Sequence, residues 1–195
     1  SAALARFLTG DTRFDEILKE HGPACQRFLL TGDRAIVERM ARSAAESMRT
    51  NFELMTSEVL MTDRAGVNSG VPAALYCGLV RPWDDSGMPC FAVNWDSPTE
   101  NFAAVVTEAE RDRLTIVLYN FEDKPIDLGA RIFQLTPGDY RLTAGPDPGD
   151  DWAMDRVEDE REVSIESRGD RIGLRVPPGV TWVVKLRESE FPATF

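Results

Sequence analysis

The chain has 195 residues, of which 43% are apolar and 28% charged, a size and balance that allow one large or two small packed domains and exclude wholesale disorder. Its 33 acidic and 22 basic residues give a formal net charge of −11. A surface this negative repels phosphate backbones and anionic lipid, so nucleic-acid and membrane partners are disfavoured, and no Lys/Arg cluster stands out to oppose that field.

The first third reads as helical. Residues 2–8 form a short helix closed by Thr9-Gly10, and Asp11 is placed to cap the next one. The same punctuation returns at Thr31-Gly32-Asp33. In each copy Gly supplies the left-handed residue that stops a helix, and Asp offers a carboxylate to the free N–H groups of its successor. The recurrence predicts repeated helical hairpins. Gly22-Pro23 divides the intervening segment into helices over 12–19 and 24–30.

After Asp33, the residues Ile36, Val37, Met40, Ala44, Met48 and Phe52 make one apolar stripe, with Arg34, Glu38, Arg42, Glu46 and Arg49 on the other side. A two-turn opening helix without an N-cap signal cannot bury its face alone. The expectation is therefore a segment taken from a longer helical array, packed against a further N-terminal portion.

From residue 61 to 100 the chain changes character. Gly66, Gly70, Pro72, Gly78, Pro82, Gly87, Pro89 and Pro98 interrupt short apolar runs, which predicts an irregular connector containing strands near 73–80 and 91–94. The apolar stretch 71–80 is too short to cross a bilayer.

Residues 101–195 read as all β. Strands are predicted over 102–108, 113–121, 126–135, 140–144, 161–166, 171–176 and 181–186, separated by Pro/Gly/Asp turns. Thr136-Pro137-Gly138-Asp139 is one such turn, and Arg168-Gly169-Asp170 reads as a tight hairpin turn. Pro177-Pro178-Gly179 joins the last two strands. The fold class is α+β: a helical segment over 1–60, a connector over 61–100, and an antiparallel β-sandwich.

Three motifs of the β region, Tyr119-Asn120-Phe121, Leu135-Thr136-Pro137-Gly138-Asp139-Tyr140 and Val176-Pro177-Pro178-Gly179-Val180-Thr181, resemble the small C-terminal sandwich that follows the catalytic region in many glycoside hydrolases. The Thr-Gly-Asp connectors and Thr62-Asp63-Arg64 resemble the end of an (α/α) toroid of the kind used by polysaccharide lyases and related glycosidases, including heparinase-like enzymes. The resemblance implies the C-terminal portion of a carbohydrate-active enzyme, with the sandwich as a supporting domain. The alternative is a non-catalytic sandwich that binds a glycan or a protein.

Candidate chemistry is sparse. Glu53, Glu58 and Asp63 are the carboxylates at the helix-to-sandwich junction, and a glycosidase needs two carboxyl groups facing one another across a sugar. Beside them, Arg64 can take a uronate carboxylate bidentately. The competing reading has Asp63 and Arg64 pinning the connector to the helix end. Trp83 and Trp95 offer indole faces to a pyranose or, in the plainer reading, pack between domains; Trp182 alternates with Val180 and Val184 and reads as core.

His21, the single histidine, sits at the Gly22-Pro23 break and reads as a helix-end residue. Cys25, Cys77 and Cys90 match no zinc spacing and read as free buried thiols. Asp147, Asp150, Asp151, Asp155, Glu158, Asp159 and Glu160 crowd one loop without the spacing of an EF-hand, which predicts a solvated acidic loop. No cofactor or metal is implied.

Overall fold

A computed structural model describes residues 2–54, 70–78 and 91–189. Helices α1 (Ala2–Thr9), α2 (Asp15–His21), α3 (Ala24–Thr31) and α4 (Arg34–Leu54) follow one another, with a single 3-10 turn at Thr12–Phe14 between the first two. Both Thr-Gly-Asp connectors fold as their chemistry requires. Gly10 and Gly32 adopt left-handed φ values of 72° and 68°. Asp11 Oδ1 accepts the Arg13 N–H and Asp33 Oδ1 accepts the Ala35 N–H, each at 3.0 Å. The breaker Gly22-Pro23 separates α2 from α3. On α4, Ile36 and Val37 are buried while Arg34, Glu38, Arg42 and Glu46 are exposed.

A fifth helix, α5 (Gly70–Cys77), replaces the strand expected near 73–80. The run Gly-Val-Pro-Ala-Ala-Leu-Tyr-Cys is apolar without a clear period. Pro72 falls in the first turn, where its missing N–H costs nothing and its fixed φ suits a helix.

Eight strands complete the fold: β1 (Val93–Trp95), β2 (Phe102–Ala109), β3 (Arg113–Asn120), β4 (Ile126–Ile132), β5 (Gly138–Pro146), β6 (Asp159–Ile165), β7 (Asp170–Val176) and β8 (Thr181–Glu188). They form two antiparallel sheets, ordered β1-β4-β7 and β2-β3-β8-β5-β6. All eight match expected strands within a few residues, β1 answering the one expected near 91–94. The main difference lies between β4 and β5: β4 stops at Ile132 and Gly138 already pairs with Ile165, so the connection falls at 133–137, earlier than the Thr-Pro-Gly-Asp signal at 136–139.

Two turns do more than reverse the chain. β6 pairs with β5 and β7 pairs with β4, so Arg168-Gly169-Asp170 carries the chain between sheets and is not a hairpin. A hairpin needs its flanking strands to share a ladder, and here each strand finds its partner elsewhere. Pro177-Pro178-Gly179 makes the opposite crossing, from β7 to β8. Alternating side chains from both sheets fill the space between them, with Ile116, Leu118, Ile132, Leu142, Val184 and Leu186 each 1% exposed or less. The helices lie on the outer side of β2, where Phe28, Ile36 and Val37 pack with Leu75 and Val105.

Candidate functional site

The helical segment is fastened to the sandwich by polar contacts at the end of α1. The last carbonyls of a helix lack intrahelical donors. Here Gln134 Nε2 donates to Phe7 O at 3.1 Å and Arg111 Nη1 donates to Leu8 O at 2.7 Å, so side chains of the sandwich satisfy the helix end. Just before these residues, the buried Arg6 donates through Nε to Asp15 at 2.7 Å and through both terminal nitrogens to Glu110 at 2.8 Å. Burial pulls the Arg6 guanidinium towards neutrality, but the hydrogen bonds to Glu110 and Asp15 outweigh it and hold its pKa above the ordinary value. A cleft of about 210 Å³ opens beside this contact, lined by Phe7, Leu8, Arg111, Phe133 and Pro137 among others.

Of the expected site residues, Glu53 lies in the last turn of α4, and Glu58, Asp63, Arg64 and Trp83 fall outside the described residues. Trp95 is on β1, half-buried. Its indole N–H donates to Tyr76 O at 2.8 Å, and its ring meets Phe102 edge-on at 5.1 Å. The Tyr76 hydroxyl in turn donates to Phe102 O at 2.9 Å, so Trp95 and Tyr76 together tie α5 to both sheets. Trp182 is 6% exposed and belongs to the core, as its alternation predicts. His21 is exposed, with Nε2 3.6 Å from Glu20 Oε2. Cys25 is buried and Cys77 half-buried, and burial pushes the Cys77 thiol up to about 11. Among the described residues, no group of three or more His, Cys, Asp and Glu side chains is arranged to hold a metal ion, and no helix is long and apolar enough to cross a membrane.

Two features escape the sequence. The acidic loop is not wholly solvated: Asp147 is completely buried, accepting the Trp152 N–H at 2.7 Å and the Asp151 N–H at 3.3 Å. That carboxylate satisfies two backbone donors of a turn in which Asp150 and Trp152 both take positive φ. Arg34 locks the turn to α4 by donating to Asp150 O at 2.7 Å and lying 4.3 Å above the Trp152 ring.

The second feature is an arginine cluster where none was expected. Strand alternation puts Arg171, Gly173 and Arg175 on one face of β7, opposite Arg131, Gly129 and Asp127 of β4. Asp96 bridges two of these arginines, accepting Arg131 Nε at 2.8 Å and Arg171 Nε at 2.9 Å. The Arg131 hydrogen bond, with that of Arg171, holds the Asp96 carboxyl below its ordinary range despite some desolvation.

No protein-family model matches the chain, and no curated protein matches it. Part of it is similar to solved glycoside hydrolase structures. A candidate α-N-acetylgalactosaminidase of Bacillus halodurans C-125 shares 12% identity over 64% of this chain and 23% of its own, with a TM-score of 0.31. A family 44 xyloglucanase of Paenibacillus polymyxa, solved with xyloglucan, shares 17% over 67% of this chain and 25% of its own, with a TM-score of 0.30. The chain thus spans about a quarter of the length of these enzymes. Identities this low transfer no residue role.

Proposed function

We propose that this chain is the C-terminal portion of a carbohydrate-active enzyme, a glycoside hydrolase or a polysaccharide lyase, in which the sandwich supports a helical array and takes no chemical step itself. The observation that carries this reading is the end of α1: Gln134 and Arg111 satisfy helix carbonyls while Arg6 joins α1, α2 and the β2–β3 turn in one partly buried ion cluster. Such contacts belong to a scaffold that holds helices in place. Phe14 and Ile17, 39% and 57% exposed, give the helical segment an outward apolar face suited to further helices.

The toroid-like reading of the helices and the junction candidates Glu53, Glu58, Asp63 and Arg64 belong to the same proposal. On the described sandwich, Glu108 receives Arg113 and Arg187, Glu160 receives Arg141 and Asp96, just past β1, receives two arginines, so these carboxylates serve ion pairs at separate places. Hydrolysis needs two carboxyl groups held across one sugar, and lyase chemistry needs a base beside a group that neutralises the uronate. Assayed alone on a panel of polysaccharides, the chain is expected to show no turnover. Cleavage that disappears with Glu58→Ala or Asp63→Ala would overturn the supporting role and make the junction an active site. The second reading, a sandwich that binds glycan without catalysis, is favoured by the arginine cluster on β7.

A further inference from the structure

We propose that the seam between β6 and β7 binds an acidic polysaccharide segment through its carboxylates, with Arg161, Arg171 and Arg175 as the contacts. The proposal rests on the reading that this chain serves glycans, and it adds the class of glycan and the place. Among the described strands, β6 ends the five-stranded sheet and β7 ends the three-stranded one, so their free edges border one side of the sandwich. Arg161 crosses that side and donates through Nη2 to Gly173 O. A cleft of about 320 Å³ lies on one side of it, with Arg171, Ser164 and Gly173 in its walls. On the other side is a cleft of about 400 Å³, walled by Arg175, Pro125 and Pro177 and by Glu158 and Asp159, whose carboxylates face Arg156 and Arg161. Arg161 lines both.

The guanidinium groups have donors to spare. Among the described residues, Arg171 spends only Nε, on Asp96 Oδ2, and Arg175 only Nη1, on Asp127 at 3.1 and 3.2 Å. That leaves Arg175 its Nε and Nη2 and Arg171 its two terminal nitrogens, each a pair of donors matching a carboxylate, although the Arg171 guanidinium lies over Gly129 of β4 and must turn towards the seam to use them. Arg161 Nη1 is 3.7 Å from Asp159, a loose pair. Four residues of β-strand separate Arg171 from Arg175 by about 13 Å. Midway, Gly173 leaves open space, with no atom within 4 Å of where a Cβ would stand. A glycine inside a strand lowers its stability and marks a place where a ligand can approach the backbone.

Other occupants fit less well. A peptide adding as a strand to β7 needs the Gly173 carbonyl, which Arg161 already occupies. For a neutral glycan the clefts lack a stacking surface, because the Trp182 ring at their border is 6% exposed. Carboxylates spaced along a polysaccharide meet the separated arginines directly.

The test is calorimetric titration of the chain with oligogalacturonate at low salt, with neutral cello-oligosaccharide and polyglutamate as controls. The expected result is binding of the uronate oligomer, weakened about tenfold by Arg171→Ala and by Arg175→Lys, which keeps the charge and loses the fork. Gly173→Phe should block binding with every charge in place and an unchanged melting curve. Equal uronate binding by all three variants would overturn the site, and equal binding of polyglutamate would overturn recognition of a sugar; the functional reading survives both. Binding of the neutral oligomer alone would overturn the acidic class and leave that reading standing. Failure to bind either glycan would overturn the proposal, and cleavage lost with Glu58→Ala or Asp63→Ala would instead strike at the supporting role.

Discussion

Replacing Arg6 by Ala should loosen the whole helical segment from the sandwich. The guanidinium makes three hydrogen bonds, to Asp15 and to both oxygens of Glu110, and its side chain is 7% exposed. Removing one partner of a fully buried ion pair costs about 3–5 kcal/mol, because the remaining charge is stranded. Here the stranded carboxylates keep 19% and 21% of their side-chain exposure and reach water in part. The expected loss is therefore about 2–3 kcal/mol, which in a domain of this size lowers the melting temperature by roughly 4–12 °C. Thermal unfolding followed by circular dichroism measures it, and a cycle with Glu110→Ala isolates the coupling between the two side chains. Hydrogen exchange should rise first in α1. A variant melting within about 1 °C of the parent would refute the argument, since the cluster would then contribute nothing to docking.

Asp33→Ala removes the acceptor for the Ala35 N–H and should cost about 1 kcal/mol in urea unfolding; an unchanged midpoint would mean that water replaces the cap without loss. Asp96 titrates below its ordinary range in the folded chain, so its stabilising effect is complete above the unfolded carboxylate pKa of about 4 and disappears as pH falls through the lowered folded value. The difference in urea midpoint between the parent and Asp96→Asn should accordingly be present at neutral pH and shrink in acid, whereas a difference that persisted unchanged into strong acid would contradict the Arg131 and Arg171 pairing.

How far the sequence speaks depends on whether the deciding interaction is local. The Thr-Gly-Asp connectors were legible because the glycine conformation and the Asp cap act within three residues. Strands were legible for the same reason: alternation such as Leu114, Ile116 and Leu118 is a property of one segment. Which sheet a strand joins is not local. Arg168-Gly169-Asp170 announces a change of direction, yet only the burial demands of β6 and β7 decide that the chain changes sheet there. The helix α5 was missed because eight apolar residues fit a buried strand and a buried helix equally well.

The candidate site was less legible than the fold. Glu53, Glu58, Asp63 and Arg64 were chosen for density along the chain, while the seam joins Arg161 of β6 to Arg171 and Arg175 of β7, and Asp96 ties Arg171 to Arg131 of β4, through contacts that follow from which strands become neighbours. A signal did exist: Arg171, Gly173 and Arg175 stand at the period of a strand face, and reading charge by face would have found them. Asp147 gave no such signal. Its burial follows from the turn at Asp150 and Trp152, which composition presents only as an acidic stretch.

The position of β8 sets the order in which the sandwich can assemble. Residues 181–188 pair with β3 on one side and β5 on the other, so the centre of the five-stranded sheet is the last made of the eight described strands. Until it arrives, β3 has only β2 and β5 only β6, two separate hairpins of the kind that are marginal in water. The helices and hairpins made earlier must wait with apolar faces uncovered, and their closure joins segments some seventy residues apart. Contacts of that separation slow folding through the entropy of loop closure. A nascent chain stalled before residue 181 would therefore be a ready client for chaperones, and the sandwich should fold in one late, concerted step when β8 slides between its two neighbours.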